Sequence, residues 1–151
     1  MNAIELLKAD HRKVNALFGK VEATEAGEHK ELFEQIKAEL DVHTHIEETI
    51  FYPKLKEEKE LEDIVLEGIE EHHQAKMFLH ELSDLTEDSE KFEPKLKVLM
   101  EDIIHHVQEE EGEMFPKVEE LFDEETLKEL GAEMEEEKES FQNSQAASAG
   151  R

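Results

Sequence analysis

Four histidines and two glutamates of this chain stand in a duplicated pattern that suits metal ligation. The run His43-Thr44-His45-Ile46-Glu47-Glu48, continuing through Phe51-Tyr52-Pro53-Lys54, returns 63 positions later as His106-Val107-Gln108-Glu109-Glu110-Glu111, continuing through Met114-Phe115-Pro116-Lys117. In a helix the i, i+4 spacing of His43 and Glu47, and of His106 and Glu110, sets an imidazole and a carboxylate one turn apart on the same face. Each copy can therefore offer one nitrogen and one oxygen to the same centre. Two copies point to a two-metal site.

The spacing alone is weak in a chain this rich in Glu, since roughly two His-x-x-x-Glu pairs are expected by chance and three occur. The apolar register separates these two from the third. The stripes Phe33, Ile36, Leu40, His43, Glu47, Ile50 and Leu96, Leu99, Ile103, His106, Glu110, Met114 keep the 3 and 4 spacing of a core-facing helix. A second repeat, offset by 61, aligns Ile4, Leu7, His11, Val14, Phe18, Val21 with Val65, Gly68, His72, Ala75, Leu79, Leu82, and Asp10 and Glu71 each precede the His. Polar groups thus replace core residues in four segments. Buried without partners they would cost several kcal/mol, and a bound dication supplies the compensating charge. His72 lies nearer the centre of its apolar arc than His73. Gly68 leaves room one turn away, either as an access path or as tolerated packing.

These residues need helices to position them. The pattern predicts helices over about 2–22, 31–57, 61–85, 93–121 and 124–139, with loops at Ala26-Gly27, Glu58-Lys59-Glu60 and Asp88-Ser89. Pro94 suits a first turn, and Pro53 and Pro116 are expected to kink their helices. The fold expected is all-α: an up-down-up-down four-helix bundle over 1–122, a short C-terminal helix over 123–141 and a disordered tail over 142–151. Counting from each ligand to its loop brings His11, His43, His72 and His106 to one level, within a few ångströms at about 1.5 Å per residue.

Composition excludes other classes. A net charge of -25, from 42 acidic and 17 basic residues, repels nucleic acid and anionic membranes, and no basic cluster offers a docking patch. The absence of cysteine removes disulfides, iron-sulfur clusters and thiol chemistry. No signal peptide or membrane span is expected, so a cytoplasmic protein is expected, as a monomer or small homo-oligomer.

With Phe51-Tyr52-Pro53 and Met114-Phe115-Pro116 behind the two motifs, His11, His43, Glu47, His72, His106 and Glu110 resemble the bacterial hemerythrin-like (HHE cation-binding) domains over about residues 2–121. The resemblance implies two iron ions: one held by His11 and His43, the other by His72 and His106, with Glu47 and Glu110 bridging and an oxo or hydroxo group completing the bridge. Zinc or manganese suits the same ligand types. It also implies a small diatomic or peroxide ligand. The oxygen-carrying hemerythrins have a second His one turn after the third-helix His, and a His-x4-Asp in the fourth helix. Here Lys76 and His-x3-Glu stand instead, which points away from reversible O2 transport toward peroxide, NO or redox chemistry, in a stress response or in catalase-like disproportionation. A module that binds, stores or senses O2 or iron without turnover is the alternative.

Other readings remain open on the residues. His73, His80 or His105 is where a fifth nitrogen would come from, though each reads more simply as a surface or boundary residue, and His29 and His45 are left to solvent. Tyr52 either serves a bound ligand or packs at the Pro53 kink. A ferritin-like site needs Glu-x-x-His on two helices, and Glu70 with His73 lies off the core face. A metal-free polar core layer would use the same six residues.

Overall fold

A computed structural model describes residues 1–149. Every long element among them is a helix: α1 (Ala3–Ala23), α2 (His29–Ile46), α3 (Tyr52–Leu55), α4 (Glu62–Asp84), α5 (Phe92–Glu109), α6 (Phe115–Leu121) and α7 (Glu124–Ala149). The chain starts on a capping box. The Asn2 side chain accepts from the Glu5 backbone N–H, and Glu5 accepts from the Asn2 N–H. α2 runs on into α3, and α5 into α6, so four arms make the expected bundle. α7 lies across α1 and α2.

The two kinks take a specific form. Glu47–Phe51 and Glu110–Met114 are π-helical turns, in which Tyr52 N–H reaches the Glu47 carbonyl and Phe115 N–H the Glu110 carbonyl. Each turn adds a residue to the helix just ahead of a proline that has no N–H to give, and Pro53 and Pro116 then fall in the first turns of α3 and α6. The extra residue shifts the register. Phe51 and Tyr52 are buried and Ile50 only partly so, against the sequence-predicted stripe that ended on Ile50.

Two apolar clusters fill the bundle, one at each side of the polar residues. Leu7, Ile46, Phe51, Leu55, Val65 and Phe115 belong to the first, and Val14, Phe33, Leu40, Leu79 and Leu96 to the second. At the first, Leu127, Leu130 and Met134 of α7 are buried as well. Gly131 is needed there, because a Cβ would collide with the Met1 carbonyl oxygen and the Asn2–Ala3 backbone.

The C-terminal helix is longer than the sequence reading allows. It continues to Ala149 through residues expected to be disordered. Gln142, Ala146, Ala147 and Ala149 are compatible with helix, and a helix already docked by its first half needs no new nucleus to extend. Residues 150 and 151 of that expected tail lie outside the described residues.

Candidate metal centre

His11 sits midway along α1, His43 one turn before the end of α2, His72 midway along α4 and His106 one turn before the end of α5. Glu47 and Glu110 open the two π turns. All six are buried, Glu47 at 0% and Glu110 at 1% relative exposure. The structure thus brings together every residue that sequence reasoning selected. Glu47, His72, His106 and Glu110 form one group, and His11, His43 and Glu110 another, with one ligand atom from each residue within 4.8 Å of the others in its group.

Each carboxylate lies between the two halves. Glu47 Oε1 is 3.2 Å from His43 Nε2 and 3.0 Å from His72 Nε2. Glu110 Oε1 is 3.2 Å from His11 Nε2, and its Oε2 is 3.4 Å from His106 Nε2. Yet the Nε2 atoms of His11, His43 and His106, both oxygens of Glu47 and Oε1 of Glu110 are buried without a hydrogen-bond partner. Buried polar atoms are normally satisfied, and these inward-facing nitrogens and oxygens form a donor set that a cation would satisfy. Nitrogen and carboxylate donors suit iron, zinc or manganese.

The outer nitrogens are all partnered. His11 Nδ1 lies 2.6 Å from Glu111, His43 Nδ1 3.0 Å from Asp10, His72 Nδ1 3.0 Å from Glu48 and His106 Nδ1 2.6 Å from Glu71. A carboxylate accepting Nδ1–H fixes the tautomer, turns the ring and leaves Nε2 as the free donor atom. These four acids were not selected from the sequence. Their signal was present: Asp10 and Glu71 precede the repeated His, and Glu48 and Glu111 follow the repeated Glu. Lys76, at the position that carries a second His in the oxygen carriers, places its ammonium 2.8 Å from Glu48 and braces the partner of His72.

Charge completes the picture. Burial opposes a proton on His43, but the nearby Glu47 carboxylate and the hydrogen bond to Asp10 outweigh it and push the pKa up to about 10. His106 rises to about 11 against the same burial penalty, chiefly through Glu110. Burial would raise Glu110, yet His106 and His11 beside it hold it well below the usual carboxylate range. The hydrogen bond to His72, against partial burial and with help from Lys76, lowers Glu48 to about 2. Raised this far, His43 and His106 carry protons that a cation entering the layer displaces.

Tyr52 belongs to this site. Its hydroxyl donates to Glu110 Oε2 at 2.5 Å and lies 3.4 Å from His72 Nε2, and its ring stacks on His72 at 5.3 Å. The room at Gly68 is filled by this ring, since a Cβ there would be 3.0 Å from the Tyr52 hydroxyl. In the other half Phe115 stacks on His11 at 6.0 Å. Leu7 stands at the position equivalent to Gly68 and shares the first apolar cluster with Phe115.

On the opposite side a cavity of ≈ 20 Å³ is lined by the four histidines with Val14, Leu40, Thr44, Ile103 and Val107. That is room for one water-sized molecule. The other histidines stay outside it. His80 pairs with Asp84 and His105 with Glu109, both well exposed, and His73 is exposed. His29 and His45 are not left to solvent as expected: His29 is 7% exposed and joins Glu93 to the Thr24 carbonyl, while His45 pairs with Glu137 at 2.8 Å. Both bonds reach distant segments, which local patterning does not reveal.

The family described as hemerythrin HHE cation-binding domain matches residues 2–118. A solved HHE cation-binding domain-containing protein from Mycobacterium kansasii superposes with a TM-score of 0.82 at 28% identity, covering 95% of this chain and 89% of that one. A curated relative from Nostoc sp., named DNA nickase, is 25% identical over 122 residues. The match takes in 78% of this chain but only 34% of that relative, so the chain spans about a third of its length.

Proposed function

The chain belongs to the hemerythrin HHE cation-binding family, and from that premise we propose that it is a non-haem di-iron protein that takes up O2, peroxide or NO and consumes peroxide under oxidative or nitrosative stress. The observation that carries this reading is the ring of buried, unpartnered Nε2 and carboxylate oxygens at the bundle centre. His11 and His43 would hold one iron and His72 and His106 the other, with Glu47 and Glu110 spanning both. Bound there, the pair supplies redox equivalents and open coordination positions.

The protein residues do the rest. Asp10, Glu48, Glu71 and Glu111 hold the imidazoles so that each presents Nε2 inward. Tyr52 keeps one oxygen of Glu110 hydrogen-bonded while the other faces His11. Val14, Leu40, Ile103 and Val107 restrict the cavity to a small guest and keep bulk water from it. No helix among the described residues is long and apolar enough to cross a membrane, and a cytoplasmic setting completes the reading. Nickase activity is not carried over: a net charge of -25 repels a phosphate backbone.

Steady-state peroxide consumption by the iron-loaded protein, followed beside O2 and NO difference spectra, tests the proposal. Many turnovers per chain in the wild type, lost in Glu110→Ala, are expected. Stoichiometric spectral binding without turnover would replace it with a binding or sensing module.

A further inference from the structure

The bundle-facing residues of α7 run Leu127, Leu130, Met134, Lys138, Phe141, the 3 and 4 spacing of an apolar stripe with one lysine in it. Leu127, Leu130 and Met134 share a buried cluster with Ala3, Leu6 and Leu7 of α1. Phe141 stacks on His45 of α2 at 4.3 Å. Between these anchors the Lys138 ammonium bonds to Oδ1 of Asp10, whose residue is 2% exposed. The other oxygen of Asp10 accepts from His43 Nδ1 at 3.0 Å. A leucine would serve packing at this place. A partly desolvated ammonium costs stability unless its partner is fixed opposite it, and here the partner is the carboxylate that orients a histidine of the centre.

In the other half the lysine brace falls on a different histidine, Lys76 holding Glu48 behind His72. Glu71, the repeat counterpart of Asp10, accepts from His106 at 2.6 Å, but its remaining neighbours are Glu109 and His105, and it forms no ion pair with a lysine among the described residues. The two halves of the site repeat in their inner residues and differ in this outer brace.

We propose that Lys138 is a positioning residue that holds His43 through Asp10, so that α7, which lies beyond the residues 2–118 matched by the family, sets the metal affinity of the His11–His43 half of the centre. This inference rests on the metal-holding reading above. Metal-free full-length protein is titrated with Co(II) and followed by visible absorption, which reports both affinity and coordination geometry. The wild type is expected to show two classes of site. Lys138→Met, which keeps the apolar stem, should weaken one class by about tenfold and alter its spectrum while sparing the other, and Lys138→Arg should restore it. In an Asp10→Asn background Lys138→Met should add nothing, because the connection is already cut. A Lys138→Met isotherm and spectrum equal to the wild type, or a full additional loss on top of Asp10→Asn, would overturn the inference. Wild-type protein that takes up no Co(II) at these histidines would instead overturn the reading on which it rests, and the wild-type curve alone reveals that case.

Discussion

Tyr52 and Gly68 form a pair whose energetics can be worked from the distances. The Tyr52 hydroxyl donates at 2.5 Å to Glu110, a carboxylate that is 1% exposed and whose other oxygen has no hydrogen-bond partner. Removing a hydrogen bond to a buried charged group costs about 1.5–3 kcal/mol, and each kcal/mol is roughly 2–4 °C of Tm at this size. Tyr52→Phe should therefore lower the Tm of the metal-free protein by roughly 3–12 °C, and by less when metal shares the Glu110 charge. Gly68→Ala should act through the same hydroxyl. Its Cβ would sit 3.0 Å from the oxygen and 3.3 Å from Cζ, forcing the ring back and stretching the bond to Glu110, whereas alanine in a helix interior is otherwise worth about 1 kcal/mol over glycine. The net effect should be destabilising in the wild type and near neutral in the Tyr52→Phe background. Thermal unfolding by circular dichroism of the four proteins gives the coupling. If the two losses simply add, or if Tyr52→Phe leaves the Tm unchanged, the hydroxyl is a packing group and its role in holding Glu110 is wrong.

Chelation of the loaded protein should lower the Tm by several degrees, because the bound ions compensate buried groups from α1, α2, α4 and α5 and from both π turns. The metal-free protein should have a stability maximum near pH 4.5–6.5. His43 and His106 are raised to about 10 and 11, so their contribution is whole below the unfolded value near 6.5 and fades as pH climbs toward 10. Glu48, lowered to about 2, contributes above the unfolded value of about 4.5 and loses its share as pH falls toward 2; Tm measured with chelator across pH 3 to 10 follows both limbs. Metal affinity should run the other way on the alkaline side, rising from pH 6 to pH 8 as ligand protons are displaced, and a flat competition titration would contradict the protonation of His43 and His106. Lys76→Met should weaken metal binding severalfold by loosening Glu48 behind His72, whereas Lys97→Met, on the surface of α5, should leave it unchanged.

Helix positions, the bundle and the six inner residues were legible because the chain repeats itself and the polar residues interrupt a 3 and 4 apolar spacing. Register after Glu47 was not legible: the periodicity assumes α geometry, and the π turn adds a residue that turns Phe51 and Tyr52 inward in place of Ile50. The four outer carboxylates were visible as repeated positions but not as partners, since each bonds a histidine on a neighbouring arm rather than the one nearest it in sequence. Lys138 was hidden in a helix whose second half reads as polar. The extension of α7 to Ala149 was missed because propensity says little about a segment whose first half is already docked.

The most direct measurement is the number of iron ions retained per chain after anaerobic loading and desalting, in wild type, Glu110→Ala and Glu113→Ala. Glu110 reaches a histidine in each half of the site, while Glu113 is exposed on the same turn. The account expects two irons in the wild type and in Glu113→Ala, and one or none in Glu110→Ala. At most one iron in the wild type, or two retained by Glu110→Ala, would contradict it.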